Sequence, residues 1–160
     1  MKIMIAYYSW QGHTRKVVEA LAAKLGAETE RIEPVKQSSM ATKAMKAYFS
    51  LKSDINPCRT DLSDLDHLIV ATPVWADHPT PYVMKYISLL TNTSEKTFSI
   101  LVEMGGRGAD ITIKKVRKAL EKKGMKFVAS AVTVERDVDD DNFESTITDM
   151  ADLIKNISIV

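Results

Sequence analysis

The sequence predicts an α/β protein, a three-layer α/β/α sandwich built on a five-stranded parallel sheet. Short apolar runs alternate with segments of helical period along nearly the whole chain. That alternation implies parallel pairing, right-handed crossovers and helices on both faces of the sheet. At 160 residues and 45% hydrophobic content, the chain can bury one substantial core. One domain spanning residues 1–160 is therefore expected.

Ile3 to Tyr8 reads as a buried strand. From Thr14 to Leu25 the residues Val17, Val18, Leu21, Ala22 and Leu25 recur at three- and four-residue steps, and Gly26 supplies a stop. Glu28 to Glu33 is a weaker, mostly charged strand that suits a sheet edge and ends at Pro34. Lys36 to Asp66 is harder to read: Ala41 to Leu51 has helical propensity, and Ser53 to Leu65 has the composition of a loop. His67 to Thr72, centred on Leu68-Ile69-Val70-Ala71, is a strong central strand, and His67 at its start is expected to be structural. Beyond Pro79 and Pro81, the spacing of Val83, Ile87 and Leu90 marks a helix. Phe98 to Glu103 is the fourth strand. Ile113, Val116 and Leu120 then give a helix face with lysines and arginine outside it, ended by Gly124. Phe127 to Val134 is the fifth strand, and Phe143, Ile147, Met150, Ile154 and Ile157 describe a last amphipathic helix. The acidic run Asp137 to Asp141 reads as a solvated loop whose last Asp, or Asn142, caps that helix.

Charge and cysteine content exclude several classes. With 22 basic and 21 acidic residues the net charge is +1, so no global field draws nucleic acid or an anionic membrane. Cys58 is the sole cysteine, which rules out an internal disulfide and fits a reducing compartment. Three dispersed histidines and one cysteine do not make a metal site. The first apolar stretch is too short for a signal-peptide core, and nothing reaches the ~18 apolar residues of a membrane span. A cytoplasmic protein is expected.

In sheets of this kind ligands sit beyond the carboxyl ends of the strands, and the loops after strands one, three and four are all unusual. Ser9-Trp10-Gln11-Gly12-His13-Thr14 joins a strand to a helix start, where backbone N–H groups and the helix dipole favour an anion. It has one glycine and no following Gly-Lys, so it fits neither a dinucleotide fingerprint nor an NTPase loop. Hydroxyls and an amide stand instead, suited to a terminal phosphate. The competing reading has Thr14 capping the helix and Ser9 satisfying the turn. The second loop, from Ala71 to Pro79, sets Trp75 at the mouth of the central strand, as a lid or as a stacking surface. The third, Glu103-Met104-Gly105-Gly106-Arg107-Gly108, lets backbone pass close to a ligand or simply makes a tight turn.

Taken together, "YYSWQGHT", "VATPVWADHPTP" and "EMGGRG", in this order and spacing, resemble the flavodoxin family across nearly the whole chain. The resemblance implies strand order 2-1-3-4-5 and non-covalent FMN. It assigns Ser9, Trp10, Gln11, Gly12, His13 and Thr14 to the phosphate loop. Thr72, Pro73, Val74, Trp75 and Ala76 fall at the ribityl and ring, and Gly105, Gly106 and Arg107 at the pyrimidine side. Ala76-Asp77 departs from the family, where a glycine often lets the peptide turn over; alanine is expected to resist positive φ and so to weaken semiquinone stabilisation. Near-neutral charge departs from the acidic pattern of electron carriers. Two functions follow from the resemblance: an electron-transfer protein docking redox partners, which is the leading expectation, or an FMN-dependent oxidoreductase using NAD(P)H and a quinone-type acceptor.

Overall fold

A computed structural model describes residues 1–35 and 54–157. The helix expected over Ala41 to Leu51 lies outside these residues. The elements run β1 (Ile3–Tyr7), α1 (His13–Leu25), β2 (Glu28–Arg31), β3 (His67–Trp75), β4 (His78–Pro79) and α2 (Pro81–Leu89). They continue as β5 (Thr97–Met104), α3 (Ala109–Glu121), β6 (Lys126–Val134), α4 (Glu135–Asp139) and α5 (Glu144–Asn156).

Five strands pair in parallel in the order β2-β1-β3-β5-β6, which is the expected 2-1-3-4-5 once the parallel strands are counted alone. The additional strand, β4, pairs antiparallel with the end of β3. Alternation along each strand splits the core into two layers. Met4, Ala6, Leu68, Val70, Phe98, Ile100 and Val102 pack with residues of α2 and α3. Ile3, Ile5, Tyr7, Ile69, Ala71 and Leu101 pack with residues of α1 and α5. As expected of an edge, β2 pairs only with β1 among the described residues.

The helices form where the spacing places them. α1 buries Val17, Val18, Leu21 and Ala22 and stops at Gly26, whose φ of 61° lets the chain turn while Ala27 N–H donates to Ala22 O at 3.0 Å. α2 begins on Pro81, behind the side chain of Thr80, which accepts from Val83 N–H. α5 buries Ile147, Met150, Ala151 and Ile154. Among the described residues no helix is long and apolar enough to cross a membrane.

Two local expectations are corrected. The central strand does not end at Thr72: Pro73, Val74 and Trp75 continue β3, because β4 folds back to pair Val74 with Pro79 and Trp75 with His78. The acidic run is not a plain loop. Its first part belongs to α4, and no side chain caps α5, whose N-cap is Phe143. Asp141 instead turns the chain at φ 55° and pairs with Lys16 Nζ at 2.7 Å, and the backbone N–H of Asn142 donates to Asp137 O at 2.7 Å.

His67 is structural, as read. It is fully buried, with Nδ1 2.7 Å from Thr97 Oγ1 and Nε2 3.1 Å from Ser99 Oγ. Burial pushes its pKa down to about 4, so the ring is neutral.

Candidate functional site

The carboxyl ends of β1, β3 and β5 open into one cleft of ≈ 220 Å³. All three unusual loops reach it, since each follows one of these adjacent parallel strands.

The first wall is the β1–α1 turn, from which Ser9, Trp10, Gln11, His13 and Thr14 line the cleft. Gly12 is the N-cap of α1, at φ 104°; a Cβ there would meet nothing within 4 Å, so the glycine is needed for conformation rather than space. Ser9 and Thr14 are buried. Ser9 Oγ accepts from Arg15 N–H at 3.2 Å, satisfying one of the helix's orphan donors. The capping role weighed for the turn thus falls to Ser9. The remaining first-turn N–H groups have no intrahelical acceptor.

Pro73, Val74 and Trp75 make the second wall. Two tyrosines hold the Trp75 ring edge-on, Tyr8 at 5.4 Å and 89° and Tyr82 at 5.9 Å and 83°. Such T-shaped contacts fix a ring plane through its quadrupole. Beyond Trp75 the chain reverses through Ala76 (φ 48°) and Asp77 (φ 63°), the two-positive-φ turn that favours Asn-Gly. Alanine therefore does adopt positive φ here. The turn is backed by the third loop: Arg107 Nε lies 3.1 Å from Asp77 Oδ1, and a Cβ on Gly108 would come within 2.7 Å of Asp77 Cα and 2.8 Å of Val74 Cγ1.

The third wall brings Glu103, Gly105 and Glu135 together. Glu103 is 7% exposed at the end of β5. Burial raises its carboxyl pKa; Glu135 and Asp139 raise it further, against His13 and a hydrogen bond from Thr14. His13 bridges to α4, with Nε2 2.9 Å from Asp139 Oδ1 and Nδ1 3.9 Å from Glu135 Oε1. The donor atoms of these three side chains lie within 4.8 Å of one another, an imidazole between two carboxylates.

Of the residues expected at the site, the cleft gathers Ser9, Trp10, Gln11, His13, Thr14, Pro73, Val74, Trp75 and Gly105. Thr72 is not at its surface: it is fully buried, and its hydroxyl donates to Pro73 O at 2.9 Å and accepts from Thr80 N–H at 3.3 Å. Ala76, Gly106 and Arg107 lie on the adjoining loops, Arg107 with 86% of its side chain exposed. Sequence reasoning missed Glu103, Glu135 and Asp139. An ionisable residue closing the apolar run Ile100-Leu101-Val102 of the fourth strand was the one available signal for Glu103.

The donor set suits a phosphate ester at the start of α1: free helix N–H groups, two buried hydroxyls and a glutamine amide. The carboxylates of Glu103 and Glu135 in the same cleft oppose it.

The family model described as NADPH-dependent FMN reductase matches residues 1–139. No curated protein sequence matches the chain. Among solved structures, a flavoprotein in complex with FMN from Lactobacillus acidophilus NCFM superposes with a TM-score of 0.69 at 15% identity, covering 87% of this chain and 97% of the other. An NADH:FMN oxidoreductase in its apo form gives 0.64 at 16%, covering 98% and 88%. A flavodoxin from the domain Archaea gives 0.60 at 14%, covering 97% and 99%.

Proposed function

Because the chain belongs to the NADPH-dependent FMN reductase family, we propose that it is an FMN-bearing oxidoreductase that draws reducing equivalents from NAD(P)H and delivers them to a small acceptor such as a quinone. FMN is the cofactor. The observation that carries the reading is the cleft itself, which has a helix start with two buried hydroxyls at one end and an orientated indole at the other. Bound there, FMN would supply the hydride and electron chemistry.

The chain's own residues would bind and orient. First-turn N–H groups of α1, with Thr14 and Gln11, hold the phosphate, while Ser9 keeps the turn in shape through Arg15 N–H. Trp75, fixed by Tyr8 and Tyr82, offers a flat apolar wall that excludes water from one face of the ring. Gly105 and Gly106 bring backbone close without a Cβ. Arg107 and Asp77 neutralise one another, so neither charge alone sets the field at the pyrimidine side.

A specific observation keeps electron transfer as a second reading. The Ala76–Asp77 tip already holds positive φ at both residues, a backbone disposition beside the ring site that suits one-electron work. Anaerobic reduction decides between the two. Bleaching of the FMN-loaded protein by NADPH, with turnover on a quinone, is expected. Indifference to NADPH together with stepwise one-electron reduction by dithionite would overturn the oxidoreductase in favour of the carrier. Failure to take up any flavin would defeat both. Exchanging Ser9 for Ala and Thr14 for Val together is expected to weaken FMN more than riboflavin, and equal losses would contradict the phosphate assignment.

A further inference from the structure

Glu103 is a buried acid in a cleft whose donor set favours an anion. Among the described residues that line the cleft there is no lysine or arginine. Lys16, on α1, is committed elsewhere: its Nζ donates to Val138 O and pairs with Asp141, each at 2.7 Å. The ionisable groups around Glu103 are therefore His13 from α1 and Glu135 and Asp139 from α4. Among these only the imidazole can offset a negative charge, and it already lies between the two α4 carboxylates; the Thr14 hydroxyl adds one hydrogen bond to the Glu103 carboxylate. On β6 the register partner of Glu103 is Thr133, 3% exposed, whose hydroxyl has no hydrogen-bond partner among the described residues.

A phosphate dianion at the start of α1 would add two negative charges beside this carboxylate. Like charges in a poorly solvated pocket do not stay ionised together when a proton is available to one of them. Protonated, the Glu103 carboxyl turns from a repelling acceptor into a donor, with Thr133 as a further hydroxyl at its side.

We propose that Glu103 makes the cleft a proton-coupled phosphate site, in which a phosphate ester binds as the Glu103 carboxylate takes up one proton from solvent. The proposal rests on the reading of the cleft as the FMN site. It predicts that the protein discriminates between phosphorylated and unphosphorylated flavin most strongly at low pH.

Affinities for FMN and riboflavin, measured by quenching of flavin fluorescence from pH 7 to 9, test it, since over that range the ester (second pKa about 6) is a dianion and its own titration is finished. FMN affinity should fall as pH rises, approaching about tenfold per pH unit, the limit for uptake of one proton. Riboflavin affinity should stay level. Calorimetry in two buffers of different ionisation enthalpy should report proton uptake with FMN and none with riboflavin. Glu103→Gln, a neutral isostere, should level the FMN profile and bind FMN more tightly than wild type at pH 9, and its retained riboflavin binding shows that the site is folded. His13→Gln should keep the slope. A level FMN profile in wild type, a slope that survives Glu103→Gln, or one lost only in His13→Gln overturns the proposal and leaves the FMN reading intact. Absence of binding by either flavin, or equal binding of both at every pH, overturns the two together.

Discussion

At the amino end of the sheet His67 opens β3 fully buried between Thr97 and Ser99, while at the carboxyl end Glu103 closes β5 nearly as buried beside His13, Glu135 and Asp139. The histidine meets only neutral partners. Thr97 Oγ1 donates to Asp66 O at 3.2 Å, so it accepts from His67 Nδ1–H, and the Ser99 hydroxyl is left to donate to Nε2. The acid meets two like charges and one imidazole, answered by a single hydrogen bond from Thr14, with the unpartnered Thr133 hydroxyl at its register position on β6. A buried polar group with every bond answered holds strands together; one crowded by unanswered charge is a group kept for something that arrives later.

Gly108 gives the most severe way to break the carboxyl end. Gly108→Ala sets a Cβ against the backbone of Asp77 at a φ of 92° and should cost about 3 kcal/mol or more, read as a fall in the urea midpoint. Gly12 shares the positive φ but faces open space, so Gly12→Ala should cost only about 1–2 kcal/mol. Equal losses would mean that the close approach of loop and hairpin contributes nothing.

Acid sharpens the contrast between the two buried groups. The His67 pKa is lowered to about 4 from 6.5, so the unfolded chain takes up a proton that the folded chain refuses. Stability from this group is complete above pH 6.5 and is lost as pH falls towards 4, by about 3 kcal/mol. Glu103 has the opposite sign: its raised pKa means the folded state holds the proton longer, so its contribution is present at low pH and lost as pH rises through the raised value. Urea titrations across pH should therefore show an acid-side loss that is absent in His67→Gln. They should also show a gain in Glu103→Gln over wild type at neutral pH. A Glu103→Gln variant less stable than wild type at pH 7 would contradict the account of that carboxylate.

Much of this was legible in the sequence, for physical reasons that also mark where it stopped. Leu68-Ile69-Val70-Ala71 reads as a central strand because both faces of a parallel sheet are covered, and Gly26 reads as a stop because few residues take its conformation. The cleft wall between β1 and α1 was legible because it is contiguous. Pro73 to Trp75 read as loop in the sequence because the hairpin that extends β3 turns on Ala-Asp, without the glycine that signals such turns. The bond between His13 and Asp139 spans 126 residues, and no periodicity joins residues so far apart.

Two smaller effects test the hairpin side. Ala76→Gly releases a left-handed alanine and should stabilise by about 0.5–1 kcal/mol, visible as a small rise in thermal midpoint. A loss would mean the Ala76 methyl makes a contact that outweighs its strain. Arg107→Ala removes an exposed pair and should change stability by less than about 0.5 kcal/mol, with no shift beyond error in the urea midpoint.

The hydrogen bond between His13 and Asp139 ties the start of the first helix to a residue synthesised 126 positions later. A nascent chain that has yet to emit β6 and α4 carries the first loop but lacks its far wall, however well its earlier strands have paired. Ligand capture then waits for α4 to emerge, and a ribosome-stalled fragment ending before Glu135 would stay colourless in a cell replete with flavin.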